Sequence, residues 1–132
     1  MWTVTLKDDQ GPLLIKSDAV LDYRRLRDLL DQIYVEGEGK LASYDRYADL
    51  SGIETIDVDI DTVVETVQWH RRLTPPANEV KIAVHLPFGM TGSLAQIYRL
   101  LTEADTLFNI QIFHSVEECA EYLQVEQSEL TA

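Results

Sequence analysis

The run Val80-Lys81-Ile82-Ala83-Val84-His85-Leu86 is apolar on both faces apart from Lys81 and His85. A strand of that kind needs cover on two sides, so it belongs in the middle of a sheet packed against helices. The flanking sequence supplies them. Asp59 to Leu73 carries Ile60, Val63, Val64 and Val67 at helical spacing, with acids near its start and His70, Arg71 and Arg72 near its end, as the helix macrodipole favours. Pro75-Pro76 stops it. On the other side, a helix from about Thr91 or Ser93 would bury Leu94, Ile97, Tyr98 and Leu101, and Phe108 to Phe113 reads as the last strand. Ser115 and Glu118 then have capping-box spacing ahead of a stripe of Val116, Cys119, Ala120 and Leu123.

The N-terminal half fits the same plan. Trp2 to Leu6 alternates, Leu13 to Ile15 is apolar, and Asp8-Asp9-Gln10-Gly11-Pro12 is turn chemistry, so the chain begins with a β-hairpin whose second arm extends to about Leu21. Asp22 can cap a helix that sets Tyr23, Leu26, Leu29, Leu30 and Ile33 on one side and Arg24, Arg25, Asp28 and Asp31 towards water. Gly37 and Gly39 end it, Tyr44 to Leu50 reads as a strand interrupted by charges, and Ser51-Gly52 is a turn. The expectation is an α/β fold: an N-terminal hairpin followed by βα units, with a mostly parallel sheet of about five strands and four helices. Residues 1–125 form one domain and 126–132 a frayed polar tail.

With 132 residues the chain can bury a core without disulfides. Acidic residues outnumber basic ones by 23 to 11, for a formal charge of -12, and such a field repels phosphate backbones and anionic lipid. Nucleic acid and membrane are therefore not expected partners. The first residues lack a basic, apolar leader, which points to the cytoplasm. Cys119 is the only cysteine and lies on an apolar stripe, so it reads as a buried, inert thiol rather than a nucleophile or zinc ligand.

The segment Asp49-Leu50-Ser51-Gly52-Ile53-Glu54-Thr55-Ile56-Asp57 resembles the strand-loop region of STAS domains, the sulfate-transporter and anti-sigma-factor-antagonist family. Val80 to Val84, Phe88-Gly89-Met90 before a helix with Tyr98, and Ile110 to Phe113 before Glu117 to Leu123 are similar to the bacterial SpoIIAA-like branch, so the likeness spans most of residues 1 to 125. It implies a regulatory module that binds protein partners or itself. In the antagonists this loop carries an Asp-Ser-Ser-Gly-like run whose serine is phosphorylated. Here the run is Asp57-Val58-Asp59-Ile60. If Asp57 matches the family's aspartate, Asp59 takes the acceptor position and offers no hydroxyl. It then either caps a helix or stands in for the phosphorylated state.

Other clusters carry chemistry more weakly. His85 and His114 fall at the carboxyl ends of neighbouring strands, the usual ligand side of an α/β sheet, where Asp57 and Asp59 can share the rim; that set is suited to a metal or to acid/base work, but its spacing matches no metal motif. The loop from Pro87 to Ser93 lacks the Gly-Lys-Ser/Thr ending of a phosphate-binding loop, and no Gly-x-Ser-x-Gly elbow occurs, so the residues call for no cofactor and no enzyme. Asp45-Arg46 with Asp49 reads as a surface or edge-strand charge cluster. Trp69 falls opposite the stripe of its helix, beside Leu73, and marks an interaction surface. An alternative is carriage of a small apolar ligand, as in the SEC14 fold that STAS-like domains resemble, in a pocket of Phe88, Met90, Tyr98 and Phe108.

Overall fold

The computed structural model describes residues 2–73, 79–86 and 109–131. Strand β1 (Thr3–Leu6) pairs antiparallel with β2 (Leu13–Lys16), with Val4 opposite Ile15. Their turn is fixed by Asp8, whose Oδ1 accepts from the Gln10 amide at 2.8 Å, and by Gly11, whose φ of +77° is one that L side chains rarely adopt. A Cβ there would also lie 2.8 Å from the Tyr44 ring.

The hairpin's second arm stops at Lys16, short of the expected Leu21. Asp18 draws the Ala19 amide and the Arg25 guanidinium to its carboxylate, and the chain leaves the sheet. It resumes as β3 (Val20–Asp22), which pairs parallel with β5 (Thr55–Asp57) in a separate two-stranded sheet. Asp22 caps α1 (Tyr23–Tyr34) by accepting from the Arg25 amide at 2.9 Å. The helix gives way to a 3-10 segment, Glu36–Ser43, with positive φ at Gly37, Glu38 and Gly39. After α1 come β4 (Arg46–Asp49), β5 and α2 (Ile60–Leu73), then β6 (Lys81–His85), β7 (Asn109–Phe113) and α3 (Val116–Leu123).

The fold is α/β with a mixed, mostly parallel five-stranded sheet in the order β1-β2-β4-β6-β7. As its two apolar faces require, β6 is an inner strand, with Ala48 of β4 on one side of Val84 and Ile112 of β7 on the other. Strand alternation divides the core. Leu13, Ile15, Ala48, Ile82 and Val84 face α1 and α2, whereas Leu14, Tyr47 and Ala83 face Cys119, Ala120 and Leu123 of α3. Ser115 accepts from the Glu118 amide and donates to its carboxylate, the expected capping box.

Two further expectations need correction. The C-terminal segment is not frayed: Gln127–Glu129 forms a 3-10 turn, Leu130 is buried against the α3 cluster, and the Lys7 ammonium donates to the Ser128 and Thr131 carbonyls. One apolar side chain and one cation suffice to anchor it. The Asp45-Arg46-Asp49 group is not on an edge, because β4 lies between β2 and β6, and it is only partly at the surface, Asp45 and Asp49 being half-buried. Arg46 is 3% exposed, and Asp45 accepts from the Lys81 amide at 2.9 Å. The helix expected from Thr91 or Ser93 falls outside the described residues. Among the described residues no helix is long and apolar enough to cross a membrane.

Candidate functional site

Helix α2 is started by Asp59, whose carboxylate accepts from the Thr62 amide at 2.7 Å. That bond holds the Asp59 carboxyl below its ordinary range. One stripe of the helix, Val63, Val67 and His70, is buried. On the opposite side Trp69 is 49% exposed and Leu73, one turn on, 52%. Both stand where the wheel places them.

His70 continues the apolar stripe three residues beyond Val67 and is only 1% exposed, so it is not the solvated charge that its place near the helix end suggests. Its Nδ1 lies 2.8 Å from the Thr66 carbonyl oxygen and its Nε2 2.7 Å from Asp31 Oδ1 on α1. A carbonyl only accepts, so Nδ1 carries a hydrogen. The pair bridges the two helices, beside Tyr34 and edge-on to Trp69, whose ring centroid is 4.9 Å away. Spacing along the stripe was the signal for His70; nothing local marked Asp31, 39 positions away.

Above this bridge a groove of about 540 Å3 runs between α1 and α2, lined by Tyr23, Arg27, Glu65, Gln68, Trp69 and Arg72, with Thr66 and His70 beneath. Tyr23 is 47% exposed and so leaves the buried side of α1 to which its spacing assigned it. Below the helices, Arg46 donates to the Tyr34 hydroxyl at 3.1 Å and to the Ala42 carbonyl at 3.0 Å, and its guanidinium lies 5.3 Å from the Tyr34 ring centre. Next to it is a hollow of about 170 Å3 whose walls, apart from Arg46, are apolar, among them Leu26, Leu30, Val63, Val67 and Ile82.

The histidine rim is arranged otherwise than expected. β5 pairs with β3 in a separate two-stranded sheet, so Asp57 ends a strand of that sheet and Asp59 caps α2. The carboxylate beside His85 is Asp49, at 3.8 Å from Nδ1. Tyr47 shares its hydroxyl hydrogen bond with that same Nδ1 at 2.9 Å. Burial, then the Asp49 charge, raises the Tyr47 phenol well above its usual range, so it stays protonated. His114 turns its Nδ1 to the Leu86 carbonyl at 2.8 Å instead. Among the described residues no three His, Cys, Asp or Glu side chains are grouped to hold a metal ion. Burial, with Glu118 and Asp49 nearby, pushes the Cys119 thiol up to about 12. The suggested apolar pocket of Phe88, Met90, Tyr98 and Phe108 lies outside the described residues.

Compared with protein-family models, curated proteins and solved structures, the chain matches none.

Proposed function

We propose that this chain is a non-enzymatic, STAS-like protein-interaction module that regulates a protein partner, or pairs with a second copy of itself, without serine phosphorylation. The observation that supports it is the pair Trp69 and Leu73, both about half exposed and one turn apart on α2. Covering such side chains gains roughly 1.5–3 kcal/mol for a full leucine-sized burial, and tryptophan is among the commonest energetic anchors at protein interfaces. Asp59, in the position that the family resemblance gives to the phospho-acceptor, keeps a constant charge there as a helix cap.

Native mass spectrometry of the purified chain, repeated with Trp69→Asp and with Leu73→Lys, tests the reading. Loss of a dimer or of a co-purified protein in both variants, with unchanged circular dichroism, supports it. Complexes that survive both substitutions overturn it.

A second reading, carriage of a small apolar ligand, is favoured by the apolar hollow under α1 and α2. Apolar cavities of about 150 Å3 stay dry and admit small aromatic molecules. In the same spectra it predicts a small-molecule adduct that persists in the Trp69 and Leu73 variants.

A further inference from the structure

We infer that the groove between α1 and α2 receives an acidic peptide segment of a partner protein, an apolar side chain lying between Tyr23 and Trp69 and carboxylates meeting Arg27 and Arg72. This rests on the interaction-module reading and adds the chemistry of the partner.

Charge distribution carries the inference. The chain as a whole has a formal charge of -12, yet α1 and α2 together hold five arginines (24, 25, 27, 71 and 72) against four carboxylates (28, 31, 61 and 65). Arg25 is committed to Asp18 and Asp22. Arg27 and Arg72 line the groove, and among the described residues neither side chain makes an ion pair or hydrogen bond; the one carboxylate lining it is Glu65. The buried His70 beneath adds no free acceptor, because both of its ring nitrogens are met by oxygen. The opening thus offers two guanidinium forks, one amide and two half-exposed aromatic rings. Guanidinium matches carboxylate in bidentate geometry and stacks on aromatic faces. A short segment senses mainly the groups within a Debye length of about 8 Å, whereas a long polyphosphate also meets the repulsion of the whole acidic chain. A peptide fits both conditions, and a nucleic acid fails the second.

The test selects binders from a library of random dodecapeptides displayed against the full chain, then measures the fluorescence polarisation of the selected peptides after synthesis. The expected sequences place acids on either side of a leucine or aromatic residue. Their binding should weaken about tenfold in Arg27→Glu/Arg72→Glu and in Trp69→Ala, weaken with added salt, and stay level in Arg24→Glu, which lies outside the groove. Circular dichroism establishes that each variant is folded. A neutral or basic consensus that still requires Trp69 overturns the acidic-segment inference and leaves the interaction module standing. Selected peptides indifferent to both the arginines and Trp69, or no enrichment at all, overturn the groove inference, while the interaction module stands or falls by the native mass spectra.

Discussion

The two faces of the sheet are built by different means. Against α3, small residues meet among larger ones: Ala83 and Cys119 have no exposed surface, Ala120 lies beside them, and Leu14, Tyr47 and Leu123 complete the cluster. A helix bearing Cys and Ala where the strand bears Ala can approach closely and pack to the density of an organic crystal. Against α1 and α2 the same strand presents Ile82 and Val84. Among the described residues, this face holds the hollow, the buried Arg46 and the His70-Asp31 bridge. The hollow leaves this side the more loosely filled of the two. The looser one has the His70-Asp31 bridge and, on its outer surface, Trp69, Leu73 and the groove, while the α3 side has the Tyr47-His85 bond.

The largest effect that would break this comparison comes from the bridge. His70→Ala removes a fully buried ring and leaves Asp31 without its partner, at a cost of about 3 kcal/mol in urea unfolding. A loss under about 1 kcal/mol would show the bridge to be incidental to the helix pair.

The two cores respond oppositely to added volume. Cys119→Leu overfills a site with no exposed surface and should cost about 2 kcal/mol. Val63→Leu points into the hollow and should change stability by under about 1 kcal/mol, or raise it. Equal penalties would mean that the hollow is already filled and the faces are alike. Cys119 gives an independent reading, because a thiol pushed up to about 12 by burial is not a thiolate at neutral pH. It should resist a disulfide reagent until the chain unfolds.

Much of this architecture was legible because apolar residues announce their own burial by spacing. The stripes of α1, α2 and α3, the caps Asp22, Asp59 and Ser115, and the inner position of β6 all follow from local pattern. Trp69 was legible for the converse reason, as the residue opposite a stripe. The polar interior was not. Whether Arg46 or His70 is buried depends on Tyr34, Ala42 and Asp31, which reach them only through the tertiary fold. Tyr23 misled because its spacing matches the α1 stripe, yet it stands at the helix's first turn and turns to the groove. The tail misled because a single Leu130 leaves no periodicity to read.

The smallest effect separates the faces by acid. α1 is capped by Asp22 and α2 by Asp59, both carboxylates, whereas α3 is capped by the hydroxyl of Ser115. The Arg25 amide and, beyond the offsetting cost of desolvation, the Arg25 charge hold Asp22 below its ordinary range; the Thr62 amide does the same for Asp59. A carboxyl whose value is depressed by folding contributes stability that is fully present above its unfolded value, about pH 4, and is lost as pH falls through the folded value. Acid should therefore loosen α1 and α2 while leaving the cap of α3 intact. Hydrogen exchange between pH 5 and pH 2.5, corrected for intrinsic rates, should show α1 and α2 amides losing protection before those of α3. Asp22→Asn with Asp59→Asn keeps the cap oxygens but removes their titration, and should flatten that difference. Ser115→Ala should instead cost about 1 kcal/mol at every pH. If α3 loosened in step with the other helices, the tight face would depend on the looser one for its stability, and the division of labour between the two sides of the sheet would fail.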